Sequence, residues 1–229
     1  MSAEHFVSVK VLRLVGNGVR VTGIPWQKPN EYTDIGIGSA KSKILCKHHN
    51  EILSLIDDEG FKFIKEVKDT YVGLSERREL SDITPNINAE LLELWLLKVF
   101  IGCMVVSGIK DIPEKWIDCL FQKINLPDDA GLYIPLKNEG TKWEFYLLKM
   151  ESIDNLNHHI AGVKFLIGGL SILFTFGPPF SNRNRFNYLH RPSGLVFGID
   201  DKKKGIQFTW AKYKSSKWLL QKLEAIPNK

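Results

Sequence analysis

Apolar residues recur every three or four positions between His49 and Tyr71, which is the period of one helix face. The sequence therefore predicts a long helix with a single buried side. Gly60 lies on that side, where it weakens the helix unless another backbone packs close against it. Polar residues 47–50 come just before, so they stand where the helix begins and where unpaired backbone N–H groups favour an anionic ligand.

A second run, Ala89–Val106, is apolar on nearly every side and predicts a helix capped by Asn88. Glu93 and Lys98 interrupt the run, which is also shorter than the roughly 20 residues that a bilayer requires. We therefore expect a buried core helix rather than a membrane span. A third helix is predicted at 114–124, because apolar residues recur there on one face.

Strand-like runs rich in aromatic and β-branched residues follow in the second half of the chain. They cover residues 132–136, 142–150, 159–167, 170–176, 195–199 and 206–211. Turn residues at 168–169 and 200–205 join neighbouring runs as hairpins, so the sheet is expected to be mostly antiparallel. Apolar residues within 215–226 predict a last amphipathic helix.

The amino-terminal part carries weaker signals. Residues 5–15 fit either a strand or a short helix, residues 19–24 alternate as a strand does, and 35–38 fit a strand edge or turn. A polar connector after the long helix predicts a domain boundary. The fold class that follows is α+β, with a first domain at 1–71 and a second α+β domain at 72–229.

Composition excludes several classes of protein. The chain has 229 residues, 44% hydrophobic and 25% charged, which suits a globular protein. Cysteine occurs three times, without framework spacing, so disulfides are not expected. Together with the absence of a signal-peptide pattern after Met1, this predicts a cytoplasmic location and no membrane partner. A net charge of +5 permits a nucleic-acid partner without requiring one.

Residues of metal-site and phosphate chemistry cluster in two places, at 4–5 and at 46–50. Taken alone, the second cluster has an ordinary explanation: Asn50 caps the helix, His49 forms a hydrogen bond in a turn and Cys46 is a buried thiol. No Walker loop, G-x-S-x-G elbow or H-E-x-x-H pair occurs, so the sequence does not support a nucleotide hydrolase, an α/β-hydrolase or a zincin.

The segments EHFVSVKVL, VTGIPW and SKILCKHHNEILSLID resemble the HNH, or ββα-metal, nuclease superfamily. They are most similar to its uncharacterised bacterial branch, which has an acidic-His pair followed by an LCxxHN-xx-LSxxD helix start. The resemblance implies an HNH-like ββα module at residues 1–71. It also implies that Glu4 is a metal ligand, His5 the general base and Asn50 a second metal ligand, with His49 as the nearest substitute.

The implied site suits phosphodiester hydrolysis. A histidine deprotonates water near neutral pH, and a divalent cation held by carboxylate and amide oxygens neutralises charge on the leaving oxygen. The expected cofactor is therefore Mg²⁺ or Mn²⁺. Many HNH proteins also carry a CxxC pair before the acidic-His pair. This chain has none there, so Cys46 and His49 form at most a remnant of a zinc site and structural zinc is not expected.

Basic residues in two regions are candidates for contacts with nucleic acid. Lys47 and His48 lie beside the implied metal ligands. In a later loop, Arg183, Arg185 and Arg191 are interleaved with aromatic residues, a composition that grips phosphates and stacks bases. A solvated loop explains the same composition equally well.

Two functional hypotheses follow. The first is a metal-dependent HNH-like endonuclease acting on DNA or RNA, or a nucleic-acid-binding protein derived from one. The common setting of the superfamily implies a role in bacterial or phage defence. The alternative is a catalytically inactive protein that binds a protein partner, or joins an assembly, through its carboxy-terminal sheet.

Overall fold

A computed structural model provides the structure of the chain. It describes residues 4–5, 7–16, 18–22, 28, 31–38, 41–42, 46–79, 81–106, 108–109, 111–136, 147–152, 160–167, 170–176, 188–215 and 217–222. The helices in these residues are α1 Val9–Val15, α2 Lys47–Ile52, α3 Ser54–Ser75, α4 Ala89–Val106 and α5 Glu114–Leu120. The strands are β1 Glu4–His5, β2 Gly18–Thr22, β3 Tyr32–Gly36, β4 Lys41–Ser42, β5 Asn86–Asn88, β6 Ala130–Pro135, β7 Leu147–Ser152, β8 Ile160–Ile167, β9 Leu170–Phe176, β10 Tyr188–His190, β11 Gly194–Ile199, β12 Lys202–Thr209 and β13 Trp218–Lys222.

Two sheets contain most of these strands. The larger has seven strands in the order β10-β6-β9-β8-β7-β2-β3, and all its neighbouring pairs are antiparallel except β2 with β7. The smaller has the order β13-β11-β12-β5, in which only the central pair is antiparallel. Strands β1 and β4 form a separate antiparallel pair. The predicted α+β class is therefore confirmed.

Helix α4 lies at the centre of the core. It packs against α3 and contacts strands of both sheets. At 100° per residue Leu92, Trp95 and Leu97 point in different directions around it, yet each is at most 1% exposed. The prediction of a buried core helix is confirmed. No helix among the described residues is long and apolar enough to cross a membrane.

The long helix predicted from the apolar period is present as α2 and α3, which are separated at Leu53. Phe63 and Val67 on its apolar face are fully buried, as the period predicts. Gly60 lies against the indole ring of Trp95 in α4, and a Cβ atom at Gly60 would come within 2.3 Å of that ring. The close neighbour of Gly60 is therefore a side chain and not the backbone that the sequence suggested.

Asn88 caps α4 as predicted, because its Oδ1 accepts a hydrogen bond from the Leu91 N–H at 3.1 Å. We expect Asn88→Ala to lower the free energy of unfolding by about 1 kcal/mol, since that N–H group loses its partner. Urea denaturation measures the loss. Asn88→Asp keeps an acceptor and is the control, expected to stay within about 0.5 kcal/mol of the wild type. Equal losses for the two variants would contradict the capping role.

The helix predicted at 215–226 is wrong where the structure describes it, because residues 218–222 form β13. This strand runs parallel to β11, with Leu219 opposite Leu195. Leu219 is 8% exposed, whereas Trp218 and Leu220 are each 46% exposed, which is the alternation of a strand. Three consecutive apolar residues fit a helix face as well as a strand, and only the distant partner strand decides between them.

Other boundaries differ by a few residues. The helix predicted at 114–124 ends at Leu120, since turns follow and Gln122 has a positive φ of 56°. The last predicted hairpin turn is confined to 200–201, because β12 already begins at Lys202. The turn predicted at 168–169 lies outside the described residues.

The amino-terminal part contains both of the options left open by its sequence, a short strand β1 followed by helix α1. Strands β2 and β3 extend the seven-stranded sheet, because β2 pairs with β7. The division of the chain at residue 71 stays a prediction, and strands from both sides of it share this sheet.

Candidate functional site

A cleft of about 320 Å³ lies between β1 and the first turns of α1, α2 and α3. Its lining residues are His5, Ser8, Val9, Lys10, Asn50, Ser54, Asp57 and Asp58. The fold thus brings together two of the residues that the sequence nominated as a site, His5 and Asn50, although a long stretch of chain separates them.

Pairing of the two shortest strands positions these residues. Glu4 lies opposite Ser42 and His5 opposite Lys41 in the antiparallel pair of β1 with β4. After β4 the chain soon enters α2, which carries Asn50. Helix α1 and strands β2 and β3 are inserted between β1 and β4; the first turn of α1 lines the cleft, whereas β2 and β3 belong to the seven-stranded sheet.

The imidazole of His5 is half-buried and held by the backbone. Its Nε2 lies 3.0 Å from the carbonyl oxygen of Ile37, which can only accept a hydrogen bond. The proton of the neutral ring is therefore on Nε2, and Nδ1 carries the lone pair. This arrangement leaves Nδ1 as the atom able to take a proton from water.

Two carboxylates line the cleft, and each is paired with a lysine. Asp57 Oδ2 lies 2.5 Å from Nζ of Lys98, a core-helix residue that is 5% exposed. Asp58 Oδ1 lies 2.8 Å from Nζ of Lys10 at the surface, and this contact raises the pKa of Lys10. A lysine is rarely buried without a partner, since an unpaired buried charge is costly. Lys98 therefore fixes Asp57 in the wall of the cleft.

The other polar residues at the start of α2 lie away from the cleft or in solvent. His49 Nδ1 is 3.3 Å from Sγ of Cys46, and its ring packs on Phe121 at a centroid distance of 4.9 Å. His49 is not among the residues that line the cleft, so the cleft gives no support for its use as the substitute ligand. Cys46 is exposed and occupies the N-cap position, so the expectations of a buried thiol and of an Asn50 cap are wrong. Lys47 is exposed, as nucleic-acid contact requires, and so is its neighbour at position 48.

The oxygen donors of the cleft suit a hard divalent cation. Mg²⁺ keeps several waters and is commonly bound through one or two carboxylates, so the amide oxygen of Asn50 and one carboxylate are sufficient protein ligands. Among the residues that the structure describes, no three His, Cys, Asp or Glu side chains form a ready-made metal cluster. The HNH resemblance assigns the carboxylate of Glu4 as a ligand, and this side chain is not among those that the structure describes.

The chain matches no protein-family model, no curated protein and no solved structure. The likeness to the HNH superfamily therefore rests on the residues of this chain alone, at its first strand and at the start of α2.

The structure corrects the assignment of Arg191 to nucleic-acid binding. Arg191 is 4% exposed, and its Nε lies 3.1 Å from Oε1 of Glu93 in the core helix. Its guanidinium also donates to the carbonyl oxygen of Ala130 at 2.9 Å and stacks on the Tyr213 ring at 3.5 Å. A cation engaged in this way is not presented to phosphates. The other two arginines of the loop, 183 and 185, lie outside the described residues.

Glu93 has the buried, charged character of a functional residue, although the sequence did not predict a role for it. It is fully buried, and its Oε1 also accepts from the Leu132 N–H at 2.7 Å. Burial raises the pKa of Glu93 to about 7, against the opposing effect of Arg191. Gly131 makes the approach possible, since it has a positive φ of 127° and a Cβ there would lie 2.1 Å from the carboxylate. The local signal for Glu93 is a charged residue within a largely apolar helix, a signal that also argues against a membrane span.

Proposed function

We propose that the cleft is the site of an HNH-like, divalent-metal-dependent nuclease that hydrolyses phosphodiester bonds of DNA or RNA. The observation that supports the proposal is that His5 and Asn50 line one cleft. An HNH-like site requires His5 and Asn50 to lie close together, whereas composition and helix periodicity do not.

The order of elements around the cleft adds support. Strands β1 and β4 pair in antiparallel fashion and lead into α2, which is a strand-strand-helix succession with α1, β2 and β3 inserted. His5 lies on the first strand and Asn50 on the helix, the two positions from which the resemblance draws the general base and a metal ligand.

Each residue then has a defined task. His5 takes a proton from the attacking water at Nδ1, and the carbonyl oxygen of Ile37 holds the ring in the tautomer that this step requires. Glu4 and Asn50 would hold Mg²⁺ or Mn²⁺, which supplies charge stabilisation at the leaving oxygen. Lys47, exposed on α2, contributes to phosphate binding.

The decisive assay is nicking of supercoiled plasmid with Mn²⁺ or Mg²⁺, against EDTA. We expect His5→Ala to lower the rate by about 100-fold or more, because the reaction loses its general base. His49→Ala is the matched control, since it removes an imidazole from the same region but outside the cleft. Its rate is expected to stay within about threefold of the wild type, well below the effect of removing a general base.

Two results would contradict the proposal. One is cleavage that survives EDTA, and the other is equal activity of the wild type and His5→Ala. A single-stranded RNA substrate run in parallel separates a ribonuclease from a deoxyribonuclease. A role in bacterial or phage defence is part of the proposal only through the resemblance.

Strand β13, at the edge of the four-stranded sheet as far as the described residues go, favours a second candidate, a protein-interaction role through the carboxy-terminal sheet. Its Trp218 and Leu220 are each 46% exposed on the outer face, and an edge strand offers unpaired backbone groups to a partner. This candidate predicts a mass above that of a monomer in light scattering, reduced by Trp218→Ser. If the wild type and Trp218→Ser are both monomers and metal-dependent nicking is intact, the result supports the nuclease proposal and not the protein-interaction role.

A further inference from the structure

Lys10 is the one lysine or arginine among the described residues that line the cleft. It lies in the first turn of α1, five positions after His5, and its side chain is 66% exposed. The HNH resemblance gives this lysine no role. A phosphodiester is an anion, and a cleft that binds one requires a cation placed where the phosphate enters. Lys10 is therefore a candidate for that contact.

In the free protein, Lys10 is paired with Asp58 on α3. Its Nζ lies 2.8 Å from Oδ1 of Asp58, so the pair links two of the elements between which the cleft lies. The Asp58 side chain is 60% exposed. Water competes for both charges at such a site, and salt screens their attraction. The carboxylate can therefore be replaced by another anion as the partner of Lys10.

The second ion pair of the cleft is of a different kind. Asp57 and Lys98 lie 2.5 Å apart, with side chains that are 19% and 5% exposed. Screening is weak inside a protein, and separating a buried pair leaves a charge without compensation. The two charges of this pair therefore stay together and cancel each other in the cleft wall. Of the two pairs, the exposed one is able to change partners.

We infer that Lys10 binds a backbone phosphate of the nucleic acid in the cleft, and that Asp58 occupies Lys10 until the nucleic acid arrives. Binding replaces the contact between Lys10 and Asp58 with a contact between Lys10 and phosphate. Asp58 then lies near an anion and opposes binding by charge repulsion. The inference rests on the proposed function for its ligand, nucleic acid, but it requires neither hydrolysis nor a metal ion.

Fluorescence anisotropy of the full chain with a labelled DNA duplex, and separately with a labelled single-stranded RNA, measures binding in EDTA without cleavage. We expect Lys10→Gln to weaken binding by about three- to tenfold, because one phosphate contact is lost. The slope of log Kd against log salt concentration should fall by about 0.9 for the duplex and about 0.7 for the single strand. The nucleic acid that shows these changes is the ligand.

Lys65→Gln is the matched control. Lys65 on α3 also forms an exposed pair, with Asp69 at 2.6 Å, but it is not among the residues that line the cleft. Its loss lowers the net charge of the chain by the same amount, so we expect the affinity to stay within about twofold of the wild type. The exposed side chains of positions 10, 58 and 65 should also leave the urea midpoint unchanged.

Asp58→Asn should act in the opposite direction and tighten binding by about three- to tenfold, because Lys10 loses its competing partner. In the Lys10→Gln background the same change should alter Kd by less than about twofold, since no lysine remains to be released. The double-mutant cycle therefore separates an exchange of partners from simple repulsion by Asp58, which acts in both backgrounds.

The inference is overturned if the wild type binds neither nucleic acid, if Lys10→Gln keeps the affinity and salt slope of the wild type, or if Asp58→Asn has the same effect in both backgrounds. Failure of the nuclease proposal is a separate result. A chain that nicks no plasmid but binds through Lys10 supports this inference alone. Metal-dependent nicking with binding that is indifferent to Lys10 supports the nuclease and overturns the inference.

Discussion

Replacing Arg191 with methionine is expected to lower the free energy of unfolding by about 3–5 kcal/mol, because the buried carboxylate of Glu93 loses its counter-ion. Arg191 is 4% exposed and Glu93 fully buried, so water does not compensate for the lost charge. Urea denaturation measures the change. Arg20→Met is the matched control, since Arg20 and Asp34 form an exposed pair at 2.7 Å whose loss should cost less than about 1 kcal/mol.

The same carboxyl group makes stability depend on pH in a defined direction. Burial raises the pKa of folded Glu93 from an ordinary value of 4.5 to about 7, so between these values the folded state holds a proton that the unfolded state has released. The stabilisation from this proton is fully present below about pH 4.5 and is lost as pH rises through about 7. Glu93→Gln should remove this contribution, and Arg191→Met should enlarge it. Unfolding free energies of Glu93→Gln that follow pH as the wild type does would contradict the assignment.

Replacing Trp95 with alanine should cost about 3–5 kcal/mol of unfolding free energy, the usual range for an aromatic residue lost from a core. Trp95 is 1% exposed, lies against Gly60 and has its ring centroid 5.7 Å from that of Phe165. In the wild type, Gly60→Ala should destabilise by about 1–3 kcal/mol through overpacking. In the Trp95→Ala background the ring is gone, and the helix preference of alanine should make Gly60→Ala stabilising by about 1 kcal/mol.

This reversal of sign distinguishes steric crowding by the Trp95 ring from an effect of the residue at position 60 on the helix backbone. Urea denaturation of the wild type, the two single variants and the double variant completes the cycle. A Gly60→Ala effect of the same sign and size in both backgrounds would show that the indole ring does not limit the space at Gly60.

The sequence predicts well those elements whose apolar pattern extends over many consecutive residues and does not depend on a distant partner. Helix α3 buries the apolar face that its period predicts, whereas α4 and β9 are apolar on nearly all sides and are buried on nearly all sides. Strand β13 differs, since its short apolar run fits two periods and its partner β11 lies about two dozen positions earlier. Tertiary pairing, which no local pattern records, makes it a strand.

The candidate site was likewise only partly predictable from the sequence. His5 and Asn50 could be nominated from residue types and the HNH resemblance, but the pairing of β1 with β4 that brings them to one cleft is a long-range event. Arg191 was misassigned because arginine among aromatic residues is typical of phosphate-binding loops. Its true partner, Glu93, is 98 positions away in the chain. A buried pair at that distance leaves no local signal beyond a charged residue within a largely apolar helix.

The most direct test of the nuclease proposal is paramagnetic NMR of the isotope-labelled chain during titration with Mn²⁺. A cation in the cleft should broaden the signals of His5 and Asn50 first, and excess Mg²⁺ should restore them by competition. Unchanged His5 and Asn50 signals, or broadening spread evenly over exposed carboxylates, would contradict a shared cation site and with it the proposed nuclease.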